Sequence, residues 1–121
     1  MKLRGLALVS GLYDLALGLP LLVAPVTVAG WFALPAPVPV VNAQINGVFA
    51  LALGVGYFWA AANPGALRGY LWVAGVFAKG LGAVVFLADH WLRGSPASFL
   101  LFAASDGALA LVTLLLLVRR R

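Results

Sequence analysis

The stretch Gly75-Val76-Phe77-Ala78-Lys79-Gly80-Leu81-Gly82 sets one lysine inside a run of apolar and small residues long enough to cross a membrane. A lysine near the middle of a hydrocarbon layer costs ~2.5–3.5 kcal/mol on insertion scales, so it requires partners on other helices. The chain has no glutamate and three aspartates, and two of these, Asp14 and Asp106, also lie inside apolar runs. Reading these three charges together decides the fold.

Working outward, the composition agrees. Hydrophobic residues make up 64% of the 121 residues and charged residues 9%, against roughly 25% charged in soluble domains. Mean hydropathy is +1.09, so the bilayer is the expected solvent. The absence of cysteine excludes disulfides, thiolate metal sites and Cys-based redox chemistry. With His90 as the single histidine, no metal site is expected. The net charge of +5 is spread over Lys2, Arg4, Arg68, Arg93 and the run Arg119-Arg120-Arg121. These residues flank apolar segments rather than lining one face, so they read as topology signals and headgroup contacts, not as a nucleic-acid footprint.

Four spans are expected, at about 6–23, 41–62, 67–88 and 98–118, giving an all-α four-transmembrane-helix bundle in one domain. Lys2 and Arg4 ahead of an apolar run resemble a secretory leader, but Asp14 interrupts it, and it reads as a retained first span. Gly11, Asp14 and Gly18 share a face there, small enough for close helix approach. Pro20 removes one helical hydrogen bond from Ala16 and favours a bend. The segment 24–40 holds Pro25, Pro35, Pro37 and Pro39. It reads as a connector with a short interfacial helix near Thr27–Leu34, followed by extended backbone. Gly47 and Gly54 repeat at seven residues in the second span. Asn63-Pro64-Gly65 and Gly94-Ser95-Pro96 are turns. Because most of the basic residues fall at the ends carrying the termini, both termini are expected in the cytoplasm.

Counting ~1.5 Å per residue puts Asp14, Lys79 and Asp106 within roughly one helical turn of the same depth. Asn46 lies slightly further towards the connector. The expected arrangement has Lys79 between the two carboxylates with Asn46 as a hydrogen-bonding neighbour. Three such groups in a low-dielectric core do not titrate independently. Such a cluster serves either as an ion pair that fixes helix orientation or as a proton-carrying or ligand-anchoring site. Tyr57 shares a stripe with Asn46 and either lines a pocket or packs. His90 beside Asp89 is either an outer relay or an interfacial histidine. Ser105 and Thr113 are expected to bond backbone carbonyls. No catalytic residue, nucleophile or phosphate motif stands out, which points away from an enzyme.

The layout resembles the DoxX-like group of small four-helix bacterial membrane proteins. The resemblance is carried by Gly11-Leu-Tyr-Asp14-Leu-Ala-Leu-Gly18-Leu-Pro20, Pro25, Gly54-Val-Gly-Tyr57, Lys79-Gly80 and Asp106. The residues themselves call for no cofactor; members named for thiosulfate:quinone oxidoreductase imply a link to quinone-side redox chemistry, and others imply an accessory membrane subunit. The resemblance also implies a bacterial inner (plasma) membrane, while no catalytic residue carries over. The chain is also similar to small multidrug transporters, which carry a carboxylate in span one where Asp14 stands. It departs from them in Lys79, in Asp106 and in the long connector. Two functions follow. One is a membrane subunit or lipid-, quinone- or apolar-ligand-binding bundle, as a homo-oligomer or within a larger complex. The other is a proton-coupled transporter working as a homodimer.

Overall fold

The computed structural model describes residues 2–119. Arg120 and Arg121, used above as topology signals, lie outside them. The chain forms four membrane-length helices: α1 (Leu3–Val23), α3 (Val40–Ala62), a third span over Arg68–Arg93, and α6 (Phe99–Arg119). The start of α1, the end of α6 and the turn between α3 and the third span lie at one end of the bundle, the terminal end. The other end, the connector end, carries α2 (Pro25–Trp31) and the extended residues that follow it.

Local chemistry sets the boundaries. Ala24 precedes a proline and leaves the helical region (φ −143°), which separates α1 from α2. Pro25 then starts α2 at the first helical position, where its missing N–H has no cost. This interfacial helix begins earlier and is shorter than the Thr27–Leu34 expected. Pro20 sits within α1, three residues before its end, and the helix continues past it to Val23. The turn after α3 is fixed by Asn63, whose side chain accepts from the Ala66 amide at 3.2 Å. Gly94 adopts the left-handed conformation (φ 69°) that ends the third span.

The third span is not a uniform α-helix. It opens with the α-turn α4 (Arg68–Tyr70) and continues as a π-helical segment from Leu71 to Ala78. It resumes as α5 (Lys79–Arg93). The change of winding falls directly before Lys79.

The helices pack as two antiparallel pairs. In the first, α1 lies along α3 through four glycines. A Cβ on Gly18 would fall 2.8 Å from the Gly47 carbonyl oxygen, and one on Gly47 would fall 2.7 Å from that of Gly18. A Cβ on Gly54 would lie 3.2 Å from the Gly11 carbonyl oxygen. The two seven-residue glycine spacings thus meet in antiparallel register and bring backbone onto backbone. In the second pair, α6 runs beside the π segment and α5, with the Thr113 side chain seated over Gly75.

The closely packed core lies towards the terminal end. Leu6, Ala7, Tyr57, Ala60, Leu71, Ala74 and Leu117 are all buried there. Lipid-facing tryptophans mark two levels: Trp31 and Trp91 near the connector end, Trp59 and Trp72 near the terminal end.

Candidate functional site

Where the packed core stops, Lys79 meets Asp14. Its Nζ lies 2.8 Å from Asp14 Oδ1, and both side chains are only 7% exposed. α1 supplies the carboxylate from the face that carries Gly11 and Gly18, and α5 supplies the ammonium from its first residue. The pair therefore joins the two helix pairs. The ammonium also lies 5.0 Å from the centroid of the Tyr13 ring and 5.4 Å from that of Tyr57. Both distances are within cation–π range.

Asp106 stands apart from this pair. Among the described residues the ion pairs are Lys79–Asp14 and Arg93–Asp89. Asp106 instead abuts the third span at Gly82, where a Cβ would lie 3.6 Å from its Oδ2. Beside it, the Tyr13 hydroxyl and Ser105 Oγ are 2.6 Å apart. Ser105 Oγ also donates to the Leu101 carbonyl at 2.9 Å within its own helix, next to the Tyr13–Ser105 bond. That bond stitches the first span to the fourth. Thr113 likewise donates to the carbonyl of Leu109 at 2.6 Å.

On the packed side of the pair, Ser10 Oγ, Asp14 Oδ2 and the Tyr57 hydroxyl are buried without a hydrogen-bond partner. Ser10 sits one turn before Asp14. Tyr57 is 1% exposed and meets Tyr70 edge-on at 5.4 Å between ring centroids. It packs into the core rather than opening onto the hollow described next.

On the other side of the pair lies a cavity of about 820 Å³. Asp14, Lys79 and Asp106 line it together with Tyr13 and Asn46. Asn46 is reached across this space, and the hydrogen bond that Lys79 makes goes to Asp14. The remaining wall is almost wholly apolar. It includes Leu17, Leu21 and Val28, an aromatic group of Phe32, Phe86, Phe99 and Phe102, and the connector residues Leu34, Pro35, Ala36 and Pro37. The phenylalanines touch one another, with Phe32 and Phe102 at 4.9 Å and Phe86 and Phe99 at 5.6 Å between centroids. Ser95 and Pro96, in the turn before α6, also reach the cavity.

His90 takes part in holding that turn. Its Nδ1 lies 2.7 Å from the Ser95 carbonyl, while Asp89 accepts from Arg93 at 2.8 Å and from the Ser95 hydroxyl. Among the described residues no three His, Asp or Glu side chains group as metal ligands do.

Depth counting brings out Asp14 and Lys79, but it passes over Tyr13 and Ser10. Both had a signal, since Tyr13 adjoins Asp14 and Ser10 precedes it by four residues on the same face. The cavity and the π segment had none.

Fold and site together define a four-helix, membrane-spanning bundle with a buried Asp–Lys pair at the foot of an apolar cavity. No protein-family model matches the chain, and neither does any curated protein or solved structure.

Proposed function

We propose that the chain is a membrane-embedded binding bundle for an elongated apolar molecule. The molecule's polar head would reach an Asp14–Lys79–Asp106 floor, with Tyr13 and Asn46 beside it. The observation that carries this reading is the cavity of about 820 Å³, whose few polar groups gather around one buried ion pair while its walls are apolar and aromatic. That contrast is how small-molecule sites are commonly built, with apolar surface for affinity and a few placed polar groups for orientation. The DoxX-like resemblance makes a quinone the first molecule to try, and it fits a chain placed in a bacterial inner membrane with its termini cytoplasmic. The chain acts without chemistry of its own, as a carrier or as a membrane subunit.

The test uses purified protein titrated with decylubiquinone and with decanol, binding being read by native mass spectrometry. Ala43 lines the cavity, and Ala43→Trp fills it. The parent should retain decylubiquinone and the variant should lose it while unfolding at the same temperature. Retention unchanged by Ala43→Trp, or none in the parent for either probe, would sink the reading.

One observation favours a second reading. The cavity reaches the connector end, whereas the packed core closes the terminal end. One-sided access to a buried carboxylate is the geometry of one state of a proton-coupled transporter working as a homodimer. That reading requires substrate-linked proton release that Asp14→Asn abolishes; release unaffected by the substitution removes it.

A further inference from the structure

A second hollow lies at the opposite end of the molecule. It measures about 440 Å³ and, among the described residues, is lined by Lys2, Leu3, Arg4, Pro64, Gly65 and Arg68. Three of these six residues are cations, contributed by the start of α1 and the start of the third span. Among the described residues no acidic side chain lines it. The chain's acidic side chains are Asp14, Asp89 and Asp106. Asp14 is paired in the membrane interior, Asp89 is held in the turn at the connector end, and Asp106 lines the large cavity.

Both arginines are held in position. Arg4 Nε donates to the Ala61 carbonyl at 3.0 Å, and Arg68 donates to that of Leu117. These carbonyls lie in the last turns of α3 and α6, where helix carbonyls lack internal partners. Each guanidinium carries five N–H donors, so one bond to a carbonyl leaves others directed elsewhere. Lys2 is exposed and adds a flexible ammonium. Two fixed forks and a mobile point charge make a receptor for a tetrahedral oxyanion rather than for a flat apolar group.

We propose that this hollow is a discrete site for one phosphate group, carried by an anionic lipid headgroup or by free phosphate. It is independent of how the large cavity is used. A discrete site differs from diffuse attraction to a charged surface in having a stoichiometry of one and in depending on particular cations. Arg119 ends α6 at the same end of the bundle but does not line the hollow, so it is a charge-matched control.

The experiment is native mass spectrometry of the detergent-solubilised protein with short-chain phosphatidylglycerol, with phosphatidylcholine of equal chain length, and with inorganic phosphate as competitor. One phosphatidylglycerol should be retained in preference to phosphatidylcholine. Each cation removed should weaken it about fivefold, and the pair Arg4→Gln and Arg68→Gln about 25-fold. Lys2→Gln makes the same test without touching a carbonyl contact, should the arginine pair fail to fold. Arg119→Gln should leave binding unchanged. Displacement by inorganic phosphate assigns the free anion as well as the lipid, and resistance assigns the lipid alone. Equal uptake of both lipids, uptake that does not saturate at one, or an equal effect of Arg119→Gln and Lys2→Gln would each overturn the proposal.

Discussion

The two halves of the bundle use the same kinds of residue to opposite ends. Towards the terminal end, Leu6, Ala7, Ala60, Leu71 and Leu117 close against one another with almost no exposure. Towards the connector end, Leu17, Leu21, Phe86, Phe99 and Phe102 line a space of about 820 Å³. Both halves are apolar, so hydrophobicity does not explain the contrast. Helix approach does: glycines draw α1 onto α3 along its length, while bulky phenylalanines from the third and fourth spans face the connector across the hollow. The Lys79–Asp14 pair sits at the boundary and ties the helix pairs where the packing gives out.

The largest effect is expected from Lys79→Met, which strands a buried carboxylate at that boundary. Stability in detergent should fall by about 3–5 kcal/mol, and Asp14→Asn in the same chain should restore most of it. Asp106→Asn in place of Asp14→Asn should not. Thermal or denaturant unfolding of the four proteins separates a pair from a three-membered cluster, because equal rescue by either aspartate would mean that Lys79 serves both.

Gly47→Val tests the close pair of helices. Its new side chain would run into Gly18 and Leu22 backbone atoms, for a loss of about 3 kcal/mol. An unchanged unfolding midpoint would show that α1 and α3 can separate at no cost, and the glycine contact would then not be what holds the first helix pair together.

A smaller effect of opposite sign is expected in the packed core. The Tyr57 hydroxyl is buried without a partner, so Tyr57→Phe should raise stability by about 1 kcal/mol. A loss instead would reveal that the hydroxyl is engaged, Ser10 being the nearest candidate by position on its facing helix.

Much of this arrangement is written in the chain's composition and spacing. Four apolar runs bounded by Pro, Gly and Arg define the spans, because no polar backbone can be left open in hydrocarbon. Depth counting finds Asp14 opposite Lys79, since rise per residue is nearly constant in helices. It yields height without azimuth, however. Asp106 lies at a matching height, yet the structure directs Lys79 to Asp14 and leaves Asp106 against Gly82. The meeting of Gly18 with Gly47 was half legible: each spacing is visible, their register is not. The carbonyl anchors of Arg4 and Arg68 join residues 57 and 49 positions apart, and no local pattern encodes them. The cavity is a property of space between helices and has no residue of its own to announce it.

The π-helical run before Lys79 has a consequence for anyone who cuts or splices this span. A π turn holds more residues per revolution than an α turn, so faces above and below Leu71–Ala78 are out of phase with a simple 3.6-residue wheel. The aim of Lys79 is thus set by winding several residues upstream, much as a gear tooth's position depends on every tooth before it. Splicing or removing a single residue there changes that phase and turns the ammonium about the helix axis. Chimaeras joined below Arg68 or above Arg93 leave that phase intact.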